Sequence, residues 1–203
     1  MNKVNVRSRS KVRLLTRVGM LSAIALVLTY IRFPLGFIAP SFIKLDISDL
    51  PTLVGAFSMG PIAGILISAV KNILDMLIKG SSTGGIGELS NFIIGSVFAI
   101  SASLIYGRNK TYKNALIGLL TGTVVMTIVA VISNYYFIFP LYSKFMPMEA
   151  IINAGSAITS KITDLWTMML YSIVPFNLIK GSIVSIFTLL IYKRVSEFLK
   201  DWV

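Results

Sequence analysis

Apolar residues in this chain gather into blocks at 18–31, 61–78, 86–106, 115–138 and 171–192. A stretch of about 20 mostly apolar residues, rising 1.5 Å per residue as a helix, crosses the roughly 30 Å hydrocarbon core of a bilayer. Blocks of this kind, repeated along the chain, point to an all-α integral membrane bundle. The composition agrees: mean hydropathy is +0.82 and 13% of residues are charged, against about 25% in ordinary soluble domains. The basic N-terminus followed by an apolar run has the look of a signal peptide. The run leads straight into Arg32-Phe33-Pro34 with no small-x-small cleavage site, so it reads as a retained first span.

A sixth segment, 50–59, sits between Pro51 and Gly60-Pro61. Ten helical residues reach only about 15 Å, half of a hydrocarbon core. Charge parity decides its role. Cytoplasmic flanks carry the excess of Lys and Arg. If 50–59 does not cross, the basic loop at Arg108, Lys110 and Lys113 and the basic C-terminus at Lys193, Arg194 and Lys200 both fall outside. If it crosses, with the bilayer thinned locally, those clusters join Lys3, Arg7, Arg9, Lys11, Arg13 and Arg17 on the cytoplasmic side. The outer connections then balance, with Arg32, Lys44, Lys79, Lys144 and Lys161 against Asp46, Asp49, Glu88, Glu149 and Asp164. The expected topology is therefore six transmembrane helices with N- and C-termini cytoplasmic. The reading is one substrate-binding domain over 1–203, with a basic cytoplasmic segment at 1–17 and outer loops at 32–48 and 139–170. Apolar spacing within 148–170 suggests an amphipathic helix over the outer face.

The net charge of +11 first suggests nucleic acid. Its confinement to the flanks of apolar blocks assigns it to the lipid bilayer instead, and no nucleic-acid partner is expected. Absence of Cys and His removes thiol nucleophiles, imidazole bases and the usual zinc or haem ligands. No carboxylate cluster suggests a metal site, so neither metal nor enzymatic activity is expected. No Walker motif occurs, and the chain cannot hydrolyse ATP by itself.

Charges inside spans are costly and mark function or internal pairing. Lys71 and Asp75 are one turn apart in the third span, a spacing that suits a self-neutralised ion pair better than a proton relay. Lys180 has no acid within a turn. Its partner is either a bound polar ligand or a loop acid such as Asp46 or Glu88. Asn177 shares its face, and Asn134 and Asn91 lie at the same outward half of the bundle. Isolated amides often join helices, whereas an amide and an ammonium at one depth suit a ligand. The loop GSSTGGIGE, residues 80–88, lacks the Gly-Lys-Ser/Thr ending of a phosphate loop and reads as a flexible loop or gate. Gly19 and Ala23 allow close helix contact, either within the bundle or with another membrane subunit.

Several stretches, taken together and in order, resemble one family. They are MLSAIALVL in the first span, FPLGFIAPSFIKLDISDLPTLVGAFSMGPIAGILISAVKN, GSSTGGIGELSNFIIG, SNYYFIFPLY and PFNLIKG. They are similar to the riboflavin-specific S-components of energy-coupling factor (ECF) transporters. The resemblance implies a subunit of the bacterial cytoplasmic membrane that captures riboflavin near the outer face. It implies partners as well: a transmembrane coupling subunit and two ATP-binding subunits. Riboflavin would be bound as substrate, and no cofactor is implied. By this resemblance Asn134, Asn177 and Lys180 bind substrate and Asn91 contributes. The first outer loop, with Lys44, Leu45, Asp46 and Ser48, closes the pocket. The family's Ala-x-x-x-Ala docking pattern on the first helix has its nearest match in Gly19-x-x-x-Ala23. An Asn amide supplies both the donor and the acceptor that a uracil-like ring edge requires. Two alternatives are an S-component for another vitamin such as thiamine and a membrane-embedded structural partner subunit. Thiamine calls for an acidic partner and an aromatic stack, where PFNLIKG offers a base and an amide.

Overall fold

A computed structural model describes residues 3–81 and 83–200, with side chains over 11–81 and 83–191. The terminal basic residues Lys3, Arg7, Arg9, Lys193, Arg194 and Lys200 lie outside the described side chains. The chain opens with α1, Lys3–Thr29. A short hairpin follows, β1 at Phe33–Pro34 pairing antiparallel with β2 at Lys44–Leu45. Three helices come next: α2, Asp49–Met59; α3, Pro61–Lys79; and α4, Ile86–Tyr106. Helix α5 starts as Tyr112–Ser133, passes through a π-helical turn at Asn134–Ile138 and ends as Phe139–Tyr142. Helix α6 is Met148–Ser156. Helix α7 starts as Leu165–Met168, passes through a second π-helical turn at Met169–Ile173 and continues as Val174–Lys200.

The bundle presents apolar residues outward. Ile117, Leu120, Val124, Ile128 and Ile132 recur along α5 and are all exposed, while Leu119, Met126 and Ala130 on the opposite face are fully buried. A stripe of large exposed aliphatics at helical spacing suits hydrocarbon as its solvent. Among the described residues, five helices are long and apolar enough to span a membrane: Lys11–Thr29, Pro61–Lys79, Ile86–Tyr106, Tyr112–Tyr142 and Leu165–Ile191. The molecule is thus an all-α, multi-pass membrane protein. Helix α2, with 11 residues, is not among the five. It is instead enclosed by its neighbours: Leu53 and Ala56 are buried, and the helix packs against α1, α3, α4 and α7. At Gly60 the backbone turns the corner into α3 at φ +93°, a left-handed conformation that favours glycine, and Pro61 then opens α3. Helices α4 and α5 approach closely, because a Cβ on Gly118 would stand 2.6 Å from the Ala102 carbonyl oxygen.

Several expected boundaries shift. The last span starts at Leu165 rather than 171, and the fifth continues to Tyr142 rather than stopping at 138. Both extensions run through a π-helical turn that ends two residues before a proline, Pro140 in α5 and Pro175 in α7. A proline ring collides with the carbonyl four residues back and offers no N–H to it. A widened turn moves that carbonyl aside, so the helix continues where a proline would otherwise end it. The amphipathic helix expected over 148–170 is confined to α6. Beyond it, turns lead to Asp164, whose side chain accepts from Thr167 N and caps the start of α7.

Candidate functional site

A cavity of about 340 Å³ opens at the end of the bundle where α1, α3 and α5 finish and where α4 and α7 begin. Such a volume suits a drug-sized molecule. One wall is the hairpin loop, with Phe42, Lys44 and Asp46, and the facing walls come from α4, the π turn of α5, and α7. Apolar and aromatic surface comes from Phe42, Ile94, Phe139, Tyr142 and Phe176, with the Phe42 and Tyr142 ring centroids 6.0 Å apart.

Asn134, Asn177 and Lys180 converge on this cavity, joined by Asn91, Lys44 and Asp46. Asn134 Nδ2 donates to the Ala130 carbonyl at 2.7 Å, and Asn177 Nδ2 to the Ile173 carbonyl at 2.8 Å. Each bond returns to the carbonyl four residues back and fixes the amide's rotamer. The Oδ1 and a second N–H of each amide remain for another partner. Two of the expected residues take other places. Leu45 is fully buried and packs with Ala39 and Phe176 beneath the hairpin. Ser48 is buried behind the wall, where its N–H and hydroxyl both donate to Asp46 Oδ1, at 2.9 and 2.5 Å. Both support the wall without forming it: Leu45 points away from the side that Lys44 and Asp46 take, and Ser48 lies beyond the strand, just before α2.

The buried charges pair differently from the sequence expectation. Lys71 and Asp75 are not partners. Lys71 Nζ contacts Asp49 Oδ1 at 2.5 Å and donates to Ser48 Oγ at 2.8 Å. Asp75 pairs with Arg32 and accepts from Thr29. Lys180 Nζ makes its contact ion pair with Asp49, 3.1 Å from Oδ2, and the loop acid Asp46 stands close enough to act on it by charge as well. In the sequence Asp49 groups with the outer-loop charges. It is the first residue of α2, only 2% exposed, and stands between two lysines from different helices. The mis-pairing follows from reading one helix alone: spacing along α3 shows which residues share its face but not what other elements bring to that face.

Arg32, Thr83 and Tyr142 also belong to the cavity wall and were not singled out in the sequence. Arg32 carried a signal, since it is the first charge after the first apolar block. Within the segment expected to be a flexible loop or gate, Ser81 Oγ donates to Glu88 Oε2 at 2.9 Å and accepts from Gly85 N at 2.8 Å. Gly80, Thr83, Gly87 and Glu88 face the cavity. At the opposite end of the bundle a groove is lined by Lys11, Arg13 and Arg17 of α1 and by Arg108 and Lys110 of the α4–α5 loop, together with the α2–α3 corner at Gly60 and Pro61. Gly19 and Ala23 lie exposed on the outer face of α1, and nothing stands within 4 Å of a Cβ built on Gly19. Packing inside their own bundle does not account for them.

An apolar-surfaced helical bundle with a polar cavity at one end, and with no cluster of metal-ligating side chains among the described residues, defines a membrane protein built to hold a small molecule. The family model for the ECF transporter substrate-specific component matches residues 13–192, and the chain belongs to that family, which supplies a substrate-binding component of transport rather than an enzyme. It is 39% identical over 198 residues to the riboflavin transporter RibU of Staphylococcus aureus (strain TCH60), covering 98% of this chain and 96% of that one. It is 35% identical over 194 residues to the riboflavin transporter FmnP of Bacillus subtilis (strain 168), covering 95% of each. The solved S component of a bacterial ECF transporter superposes with a TM-score of 0.73 at 37% identity, covering 94% of this chain and 99% of that one.

Proposed function

We propose that the protein is the riboflavin-capturing subunit of an ATP-driven uptake system, with riboflavin entering the cavity between the hairpin loop, α4, α5 and α7. The observation that carries this reading is the convergence of Asn134, Asn177 and Lys180 on one cavity that also offers Phe42, Phe139 and Tyr142. A flat aromatic ring system suits the apolar walls, its carbonyl and N–H edge suits the amides, and the ribityl hydroxyls suit the ammonium and Asn91. Relatives named as riboflavin transporters, similar over nearly the whole chain, support the same ligand. The thiamine alternative is disfavoured because Asn134, Asn177 and Lys180 present two amides and an ammonium to the cavity, which suit a neutral ring edge with carbonyls and an N–H.

Six crossings, with both termini in the cytoplasm of a bacterial cell, form part of this reading. In support, α2 leads from Asp49 beside the cavity to Gly60 at the basic groove, so it joins the two ends of the bundle despite its length. Under the positive-inside rule the groove's end is cytoplasmic and the cavity opens outward. The exposed Gly19 and Ala23 face then suits docking to a transmembrane coupling subunit, which two ATP-binding subunits would drive. Protein purified from cells grown with riboflavin should be yellow and should quench the fluorescence of added riboflavin. Colourless protein that leaves that fluorescence unchanged would reject the ligand. Liposomes holding this chain alone should show no uptake, and ATP-dependent uptake should appear once the partner subunits are added.

A further inference from the structure

Lys180 stands at the cavity wall on a buried stretch of α7, and its long side chain needs an anchor to present one fixed ammonium position. The anchor comes from α2. Asp49 divides its carboxylate, with Oδ1 on Lys71 at 2.5 Å and Oδ2 at 3.1 Å from Lys180. The first contact is a hydrogen bond. The second is an ion pair whose Oδ2 is not aligned as a hydrogen-bond acceptor. Asp49 thus holds the Lys180 ammonium by charge at the cavity wall.

The surroundings are shaped for this carboxylate. A Cβ on Gly95 of α4 would stand 2.7 Å from Asp49 Oδ1 and 3.2 Å from Ser68 Oγ, so α4 reaches the ion centre only because residue 95 has no side chain. Behind it, Lys71 also donates to Ser48 Oγ, and Ser48 in turn donates to Asp46 at the cavity wall. Asp49 itself does not line the cavity.

We propose that Asp49 is a positioning residue for substrate capture: it sets the ammonium of Lys180 for the ligand's oxygen atoms without touching the ligand, and Gly95 keeps the space that this requires. The inference rests on the reading that the cavity binds riboflavin and that Lys180 contacts it.

The test is a double-mutant cycle on Asp49→Asn and Lys180→Met, read by riboflavin fluorescence titration of the purified full chain, with thermal melts alongside. Each single variant should weaken binding by roughly ten- to a hundredfold, the value of a hydrogen bond to a charged group. The double variant should bind no more weakly than Lys180→Met alone, because Asp49 acts only through Lys180. Gly95→Ala should weaken binding in the same direction. Equal losses from Asp49→Asn in the presence and absence of Lys180 would overturn the proposal, since a purely structural carboxylate behaves that way. So would unchanged affinity in Asp49→Asn. If that variant does not fold, Asp49→Asn with Lys71→Met removes one buried cation together with the anion, and the cycle is repeated in the Lys71→Met background with the same two outcomes. A wild-type chain that ignores riboflavin rejects the ligand assignment. A wild-type chain that binds, with Lys180→Met weakened and Asp49→Asn not, rejects the positioning role alone.

Discussion

Asn134 and Asn177 each direct one amide N–H to the carbonyl four residues back, at 2.7 and 2.8 Å, which leaves an oxygen and an N–H for the cavity. Truncation to Ala removes those groups without opening a large void. Asn134→Ala and Asn177→Ala should each weaken riboflavin binding about tenfold, for a lost hydrogen bond of about 1–1.5 kcal/mol, with melting temperatures nearly unchanged. Titration and thermal melts check both. The charges allow a sharper test. Lys71 pairs with Asp49 and not with Asp75, so in double-mutant cycles on stability Lys71 should couple more strongly to Asp49 than to Asp75, its neighbour one turn away. Breaking a buried ion pair by removing one partner costs about 3–5 kcal/mol, and a clear coupling energy should appear for Lys71 with Asp49. Coupling of Lys71 to Asp75 as strong as to Asp49 would contradict the pairing. At this scale the sequence indicated which polar groups gather, because intramembrane Asn and Lys are rare enough to stand out. It did not indicate how they pair, because Asp49 and Arg32 arrive from other elements.

The two π-helical turns give α5 and α7 their special character at the cavity. Each turn precedes a proline by two residues, and each lies next to a cavity amide, Asn134 opening the first and Asn177 following the second. Pro175→Ala supplies the missing N–H and removes the ring clash. The turn should then close to α, rotating Asn177 away from its place, so riboflavin affinity should fall while the melting temperature holds or rises. A drop in both would mean that the proline is needed for folding rather than for placing the amide. These prolines also explain why the spans were read short, since a proline in an apolar run usually marks a helix end, and here a wide turn carries the helix past it. The start of α7 has its own pH dependence. Hydrogen bonds from the Thr167 backbone and hydroxyl hold the Asp164 carboxyl below the usual carboxylate range. A depressed folded-state value means that this cap contributes fully above the unfolded pKa of about 3.9 and is lost as pH falls through the folded one. Acidification below about pH 4 should therefore lower the melting temperature more in the wild type than in Asp164→Ala.

For the molecule as a whole, the proposed topology rests on charge parity. Lys11, Arg13, Arg17, Arg108 and Lys110 do share one groove at the end away from the cavity, as the parity argument requires. The short helix α2 was the weak point, because its length gives no hint that neighbouring helices would enclose it on several sides. The connections at the cavity end were legible only as loops: nothing in the residue pattern announced the hairpin at Phe33–Pro34 and Lys44–Leu45 or the Ser81–Glu88 contact. Since the chain has no cysteine, single Cys at Lys44 or Lys110 gives a clean test of orientation. A membrane-impermeant maleimide applied to intact cells should label Lys44→Cys and spare Lys110→Cys, and the reverse pattern would invert the topology. The claim on which the rest depends is that the cavity holds one flavin. Equilibrium titration of the purified protein with riboflavin, with thiamine as competitor, tests it directly. Saturable quenching at one riboflavin per chain, unchanged by excess thiamine, is the expected result; absence of saturation, or displacement by thiamine, would rule out a single flavin site.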